Sequence, residues 1–167
     1  MLSRRKYPIF NADKAVRQIY KNNIFKKKVY KKFKLLNKKD IKNKIKKIIS
    51  KNKKFLKDLE RIIHPLVRRE VRNFSKKNKR KKFVVFEIPL LIESKLMKNF
   101  DKIIFVNSKK SLRIRRFLKR GKNIDIFNLL DKRQLPPAKK IKHCDYVINN
   151  NNSLNNLKKI VNSIIDK

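Results

Sequence analysis

A continuous apolar run that breaks at a proline, Phe83-Val84-Val85-Phe86-Glu87-Ile88-Pro89-Leu90-Leu91-Ile92-Glu93, constrains this chain more than any other stretch. β-Branched and aromatic residues without polar alternation predict a strand buried on both faces, and such strands belong to parallel sheets covered by helices. Glu87 just inside the strand end and Glu93 just beyond it then lie at the carboxyl edge of the sheet, where open α/β folds bind their ligands. Read alone, Glu87 is equally a strand-end charge paired with a lysine.

Other segments extend the pattern. Pro8-Ile9-Phe10-Asn11 reads as a strand edge, and residues 12–20 take helical spacing through Ala15, Val16 and Ile19. From 22 to about 78 every periodic signal is helical, with Asn37 and Asn52 as candidate caps or breaks. His64-Pro65 is expected to end one helix, because proline disfavours the helical conformation of its predecessor, and 66–74 to resume another. Strand signals return at 82–88, 102–107 and 145–149. Two basic helical segments, 112–118 and 124–134, flank Arg120-Gly121-Lys122, and Pro136-Pro137 is expected to stop the second. The last helix carries Leu154, Leu157, Ile160, Val161, Ile164 and Ile165 on one stripe behind Ser153 as cap. Strands alternating with helices imply right-handed βαβ crossovers, a parallel sheet with helices on both faces and a single domain over 1–167.

Composition bounds the function. With 51 Lys+Arg against 12 Asp+Glu, the formal net charge of +39 suggests an anionic partner such as nucleic acid. Lysine nevertheless runs along the whole chain beside abundant Asn and Ile, the bias of an AT-rich coding sequence, so most of the excess reads as background. Cys144 is the only cysteine, which rules out an intrachain disulfide and fits a reducing, cytoplasmic setting. No apolar run approaches the ~18 residues of a membrane span, and the basic start does not lead into the apolar core of a signal peptide.

The motifs Asn11-Ala12-Asp13 after a strand, Ile63-His64-Pro65-Leu66-Val67-Arg68, Glu87-Ile88-Pro89-Leu90-Leu91-Ile92-Glu93, Arg116-Phe117-Leu118-Lys119-Arg120, Arg133-Gln134 and Asp145-Tyr146-Val147-Ile148-Asn149-Asn150 occur in one order. That order, from Tyr7 to the last helix, resembles the dephospho-CoA kinase family. The resemblance implies a P-loop kinase fold that uses ATP and Mg2+ to phosphorylate the ribose 3′-hydroxyl of dephospho-CoA, the last step of coenzyme A synthesis. It also implies a helical substrate insert at about 22–78 and a lid at about 112–142.

Residue roles follow from the resemblance. Asp13 matches the family's general base; read locally it is a helix N-terminal aspartate favoured by the macrodipole. His64, Pro65 and Arg68 match the substrate pocket, where their own context reads only as a helix end and a solvated arginine. Pro89, Leu90 and Glu93 match the wall against which dephospho-CoA sits. Arg116, Arg120 and Arg133 fall in the lid, where arginines offset transition-state charge, with Arg120 placed among the catalytic groups. Asn149 and Asn150 match the adenine contact, although asparagines stand where the family has a glycine. Asn11 stands where many relatives carry a second aspartate, and no metal ligand is assigned.

A P-loop needs Gly-x-x-x-x-Gly-Lys-[Ser/Thr], and Gly121 is the only glycine, so the motif is not in this sequence. The resemblance places it before Met1, in a strand, loop and helical turn of roughly 20 residues. Two explanations stand open: a start assigned too late, or a real truncation that would bring poor stability and negligible turnover. The competing functional readings are a basic nucleic-acid-binding protein and a non-catalytic remnant on a kinase scaffold.

Overall fold

In the computed structural model, residues 7–34, 41, 44–45 and 53–165 are described, and the chain divides into two units, Met1–Pro89 and Leu90–Lys167. In the first, strand β1 (Ile9–Asn11) pairs in parallel with β2 (Val85–Glu87), in the register Ile9 to Val85, Phe10 to Phe86 and Asn11 to Glu87. Phe10 and Phe86 then present rings to Phe74, and the three centroids lie 5.5–5.7 Å apart. These contacts fasten the strand pair to a helix through tilted and edge-on aromatic geometry.

Asn11 ends β1 and caps α1 (Ala12–Ile19): its extended backbone turns the chain, and its side chain accepts the Lys14 N–H. Asn22 caps α2 (Asn23–Phe33) in the same way through the Ile24 N–H. Helix α2 buries Phe25 and Val29 completely. The candidate caps Asn37 and Asn52 lie outside the described residues.

Helix α3 (Lys53–Lys77) corrects the expected break, since it runs unbroken through His64 and Pro65. Proline at 65 deletes the hydrogen bond to the Arg61 carbonyl and crowds that turn. Leu59, Leu66, Val67 and Val71 are nonetheless buried on both sides of it. Burial of one apolar stripe across the proline outweighs its local preference. Pro65→Ala is therefore expected to stabilise the protein by about 1–3 kcal/mol, read as a higher urea midpoint; an unchanged midpoint would mean that the helix has already absorbed the proline.

Strand β2 is also shorter and more exposed than expected. Val85 and Phe86 are half-buried, Glu87 is exposed and Phe83 is 38% exposed, so the run is not buried on both faces. Among the described residues β2 has one hydrogen-bonded neighbour, β1, and a strand paired along one edge keeps part of its surface open.

In the second unit β3 (Ile104–Asn107) pairs in parallel with β4 (Tyr146–Asn149). Between them run α4 (Lys110–Leu118), α5 (Ile124–Asp131) and α6 (Pro137–Ile141), and α7 (Leu154–Ile165) closes the chain behind the Ser153 cap. Gly121, at φ +68°, ends the turn after α4 in a conformation that a side chain would strain. The Pro136-Pro137 pair not only follows α5 but starts α6, with Pro137 in the first turn, where a missing N–H costs nothing. The described strands thus form two parallel pairs, each closed by a helical crossover.

Candidate active site

The carboxyl ends of β1 and β2 bring together residues far apart in sequence. Asn11 Nδ2 donates to Glu87 Oε2 at 2.5 Å, while Asn11 Oδ1 caps α1. One asparagine therefore joins both strand ends to a helix N-terminus. Asp13 sits exposed in the first turn of that helix, close to its positive end.

Beside this edge opens a cleft of about 660 Å³ between one face of α1 and one of α3. Phe10, Leu66 and Phe74 give it an apolar lining; Lys14, Arg69, Glu70 and Glu87 give it charge. Arg69 Nη2 lies 3.7 Å from Glu70 Oε1. Asn11 borders the cleft, whereas Asp13, His64, Pro65 and Arg68 do not line it. On α3 His64 is half-buried and Pro65 and Arg68 are exposed. Arg69 and Lys14 were missed from sequence. The signal lay in the phase of one uninterrupted helix, in which 66, 69 and 70 share a side.

At the carboxyl ends of β3 and β4 a second polar edge forms. Asn107 Nδ2 donates to Asn149 Oδ1 at 3.1 Å, and the Asn150 N–H donates to the Asn107 carbonyl at 2.8 Å. Asn150 gives its own carbonyl to Arg116 Nη1 at 2.9 Å and to Ser108 Oγ at 3.1 Å. The Lys109 N–H is capped by Asn151 Oδ1 at 2.9 Å. Three residues singled out from sequence, Arg116, Asn149 and Asn150, are thus brought to one place, and Asn107, Ser108 and Asn151 join them. Arg116 spends part of its fork on protein. Its first role is to hold the loop after β4.

Arg120 and Arg133 are both exposed, the first just past α4 and the second just past α5. The two helices are tied by Asp131, whose carboxylate takes Arg113 Nη1 at 2.5 Å and Lys110 Nζ at 3.4 Å. Phe127 packs edge-on to Phe117 and beneath Arg113. Glu93, expected on a substrate wall, binds within its own unit: Oε1 accepts the Leu135 N–H at 2.8 Å and lies 3.1 Å from Lys140 Nζ. Leu90, in the same turn, is half-buried, and Pro89, at the end of the first unit, is exposed.

Asp131 and Glu93 are expected to make the stability of the second unit sensitive to acid. The Arg113 hydrogen bond, assisted by Lys110, holds Asp131 below the ordinary aspartate range despite partial burial. Burial works to raise Glu93, but the Leu135 N–H, its own N–H and Lys140 outweigh it and leave the carboxyl below its usual value. Depressed folded values contribute stability that is complete above the unfolded carboxylate range and is lost as pH falls through the depressed values. We expect the denaturant midpoint to hold from neutral pH down to the ordinary carboxylate range and to drop below it. Asp131→Asn should flatten part of that drop; a variant that tracks the wild type throughout would show that Asp131 contributes nothing.

Among the described residues no three or more His, Cys, Asp or Glu gather as metal ligands. An ion of the magnesium type needs only one or two carboxylates when substrate phosphates complete its shell, and exposed Asp13 and Glu87 are oxygen donors of that kind. No described helix is long and apolar enough to cross a membrane.

Parallel strand pairs with helical crossovers and polar carboxyl edges define an α/β fold of the kind that binds ligands at its strand ends. Solved structures agree. A Thermus thermophilus protein, TT1252, superposes with a TM-score of 0.77 at 22% identity, over 96% of this chain and 84% of that one, which bears on the fold alone. The dephospho-CoA kinase from Campylobacter jejuni gives a TM-score of 0.70 at 26% identity, over 99% and 86%. A family model described as Dephospho-CoA kinase matches residues 1–156. Dephospho-CoA kinases from Bartonella quintana and Fusobacterium nucleatum are each 34% identical, over 95% and 96% of this chain and 84% and 85% of those proteins. The chain belongs to the dephospho-CoA kinase family and is an ATP-dependent phosphotransferase.

Proposed function

We propose that the chain phosphorylates the ribose 3′-hydroxyl of dephospho-CoA, with Asp13 as general base. The observation that carries this reading is the β1–β2 edge, where Asn11, Asp13 and Glu87 meet the start of α1. In the reaction the hydroxyl proton passes to the Asp13 carboxylate, the freed oxygen bonds to the γ-phosphorus, and the bond from phosphorus to the bridging oxygen breaks to release ADP. Arg120, Arg133 and the remaining donors of Arg116 offset charge on the migrating phosphoryl. Asn149 and Asn150 meet the adenine.

Dephospho-CoA is held by His64, Pro65 and Arg68 on α3 and by the turn that begins Pro89-Leu90, with Glu93 supporting that wall. Mg2+ would neutralise phosphate charge when bound with ATP, and Glu87 is the carboxylate at the edge that would help to hold it while Asp13 stays free to take the proton. The kinase-like domain spans 1–167, with the helical insert over about 22–78 and the lid over about 112–142, in the cytoplasm. Binding of nucleic acid is the competing reading. Counterion release would make such binding collapse as salt rises, whereas substrate turnover would saturate in ATP with a modest salt response. Titration of labelled duplex DNA between low and physiological salt, beside the turnover assay, separates the two.

A further inference from the structure

Lys140 is 5% exposed, although lysine is rarely buried without a strong reason. Its ammonium lies 3.1 Å from Glu93 Oε1, donates to Gln134 Oε1 at 2.9 Å and sits 5.7 Å from the centroid of the Phe105 ring in β3. The oxygen of Glu93 that faces it also accepts the Leu135 N–H at 2.8 Å. Four segments meet on one cation: the turn after β2, strand β3, the link between α5 and α6, and α6 itself.

The arrangement is a poor way to gain stability. Glu93 Oε2 is buried with no hydrogen-bond partner, and an apolar pair of similar volume would serve a core as well or better. What the ion pair supplies is direction: it fixes Gln134 by the side chain and Leu135 by the backbone. The residue immediately before them is Arg133.

We propose that Lys140, paired with Glu93, is a positioning residue for the phosphoryl transfer. It pins the Gln134-Leu135 link so that Arg133 is presented at a fixed height to the phosphates of ATP. The inference rests on the kinase reading given above. It is separate from the lid arginines themselves, since Lys140 is buried and touches no substrate.

The test compares wild type, Lys140→Met, Lys140→Arg and the apolar double variant Glu93→Leu/Lys140→Met, by thermal midpoint, amide exchange at Leu135, and kcat and KM for ATP taken separately. Lys140→Met leaves the half-buried Glu93 without its cation, so its midpoint should fall; the double variant should recover most of that loss. Exchange at Leu135 should rise about tenfold in the double variant, as its acceptor is gone. Positioning predicts that kcat falls about tenfold in the double variant although stability has returned, with KM for ATP changed far less, and that Lys140→Arg restores part of it. A double variant with wild-type KM and kcat would overturn the proposal and leave the pair a packing feature. Unchanged exchange at Leu135 would overturn it too. Wild type without ATP-dependent turnover would instead remove the kinase reading, and the positioning role with it.

Discussion

Asp13→Asn is expected to lower turnover by about 10²- to 10⁴-fold, the range over which a positioned general base contributes. Asparagine keeps the size and the first-turn position on α1 but cannot take the hydroxyl proton. KM for ATP and dephospho-CoA should stay within about threefold, because the lost interaction belongs to the transition state. Asp13 is exposed and packs into no core, so the thermal midpoint should move little. The outcome that contradicts this assignment is full turnover in Asp13→Asn, which would return Asp13 to a helix-terminal charge and pass the base to Glu87.

Phe25→Ala should unsettle the first unit more than any surface change. Phe25 is 0% exposed, packs 4.8 Å from the Tyr20 ring and shares the interior with Val29. Truncating a buried phenylalanine costs about 3–5 kcal/mol, against a total stability of roughly 5–15 kcal/mol for a typical domain. Urea unfolding followed by circular dichroism should show a clearly lowered midpoint or a chain unfolded without denaturant. A loss below about 1 kcal/mol would mean that the helices around α2 collapse into the space, contrary to a close-packed interior.

Much of this architecture was legible because it is local. The short strand before Asn11, the strands around Phe105 and Ile148 and the stripe of the last helix all follow from runs and periods within a few residues. The misreadings have long-range causes. Pro65 was read by its local preference, but Leu59 on one side and Leu66, Val67 and Val71 on the other are buried together, and that shared burial carries the helix through. The hydrophobic run at 83–88 does resemble a doubly covered strand, yet cover depends on neighbours that its own residues do not reveal.

The site divides in the same way. Asn11 was noticed only as a departure from an aspartate; its bond to Glu87 spans 76 residues and no spacing announces it. Arg116 and Asn150, 34 apart, were assigned separately to the lid and the adenine contact before the structure joined them. Lys140 went unremarked among 51 basic residues, since burial is what distinguishes it and a lysine-rich sequence conceals burial. Family resemblance supplied the roles of His64, Arg68 and Arg120. Local periodicity alone would have left them a helix end and surface charges.

The most direct test of the central claim is ATP-dependent conversion of dephospho-CoA to CoA, followed by mass spectrometry, by the protein isolated from its own cells. The account predicts one CoA formed per ATP consumed, saturable in both substrates and little altered between low and physiological salt. Absence of CoA above background, together with tight and steeply salt-dependent DNA binding by the same sample, would contradict it.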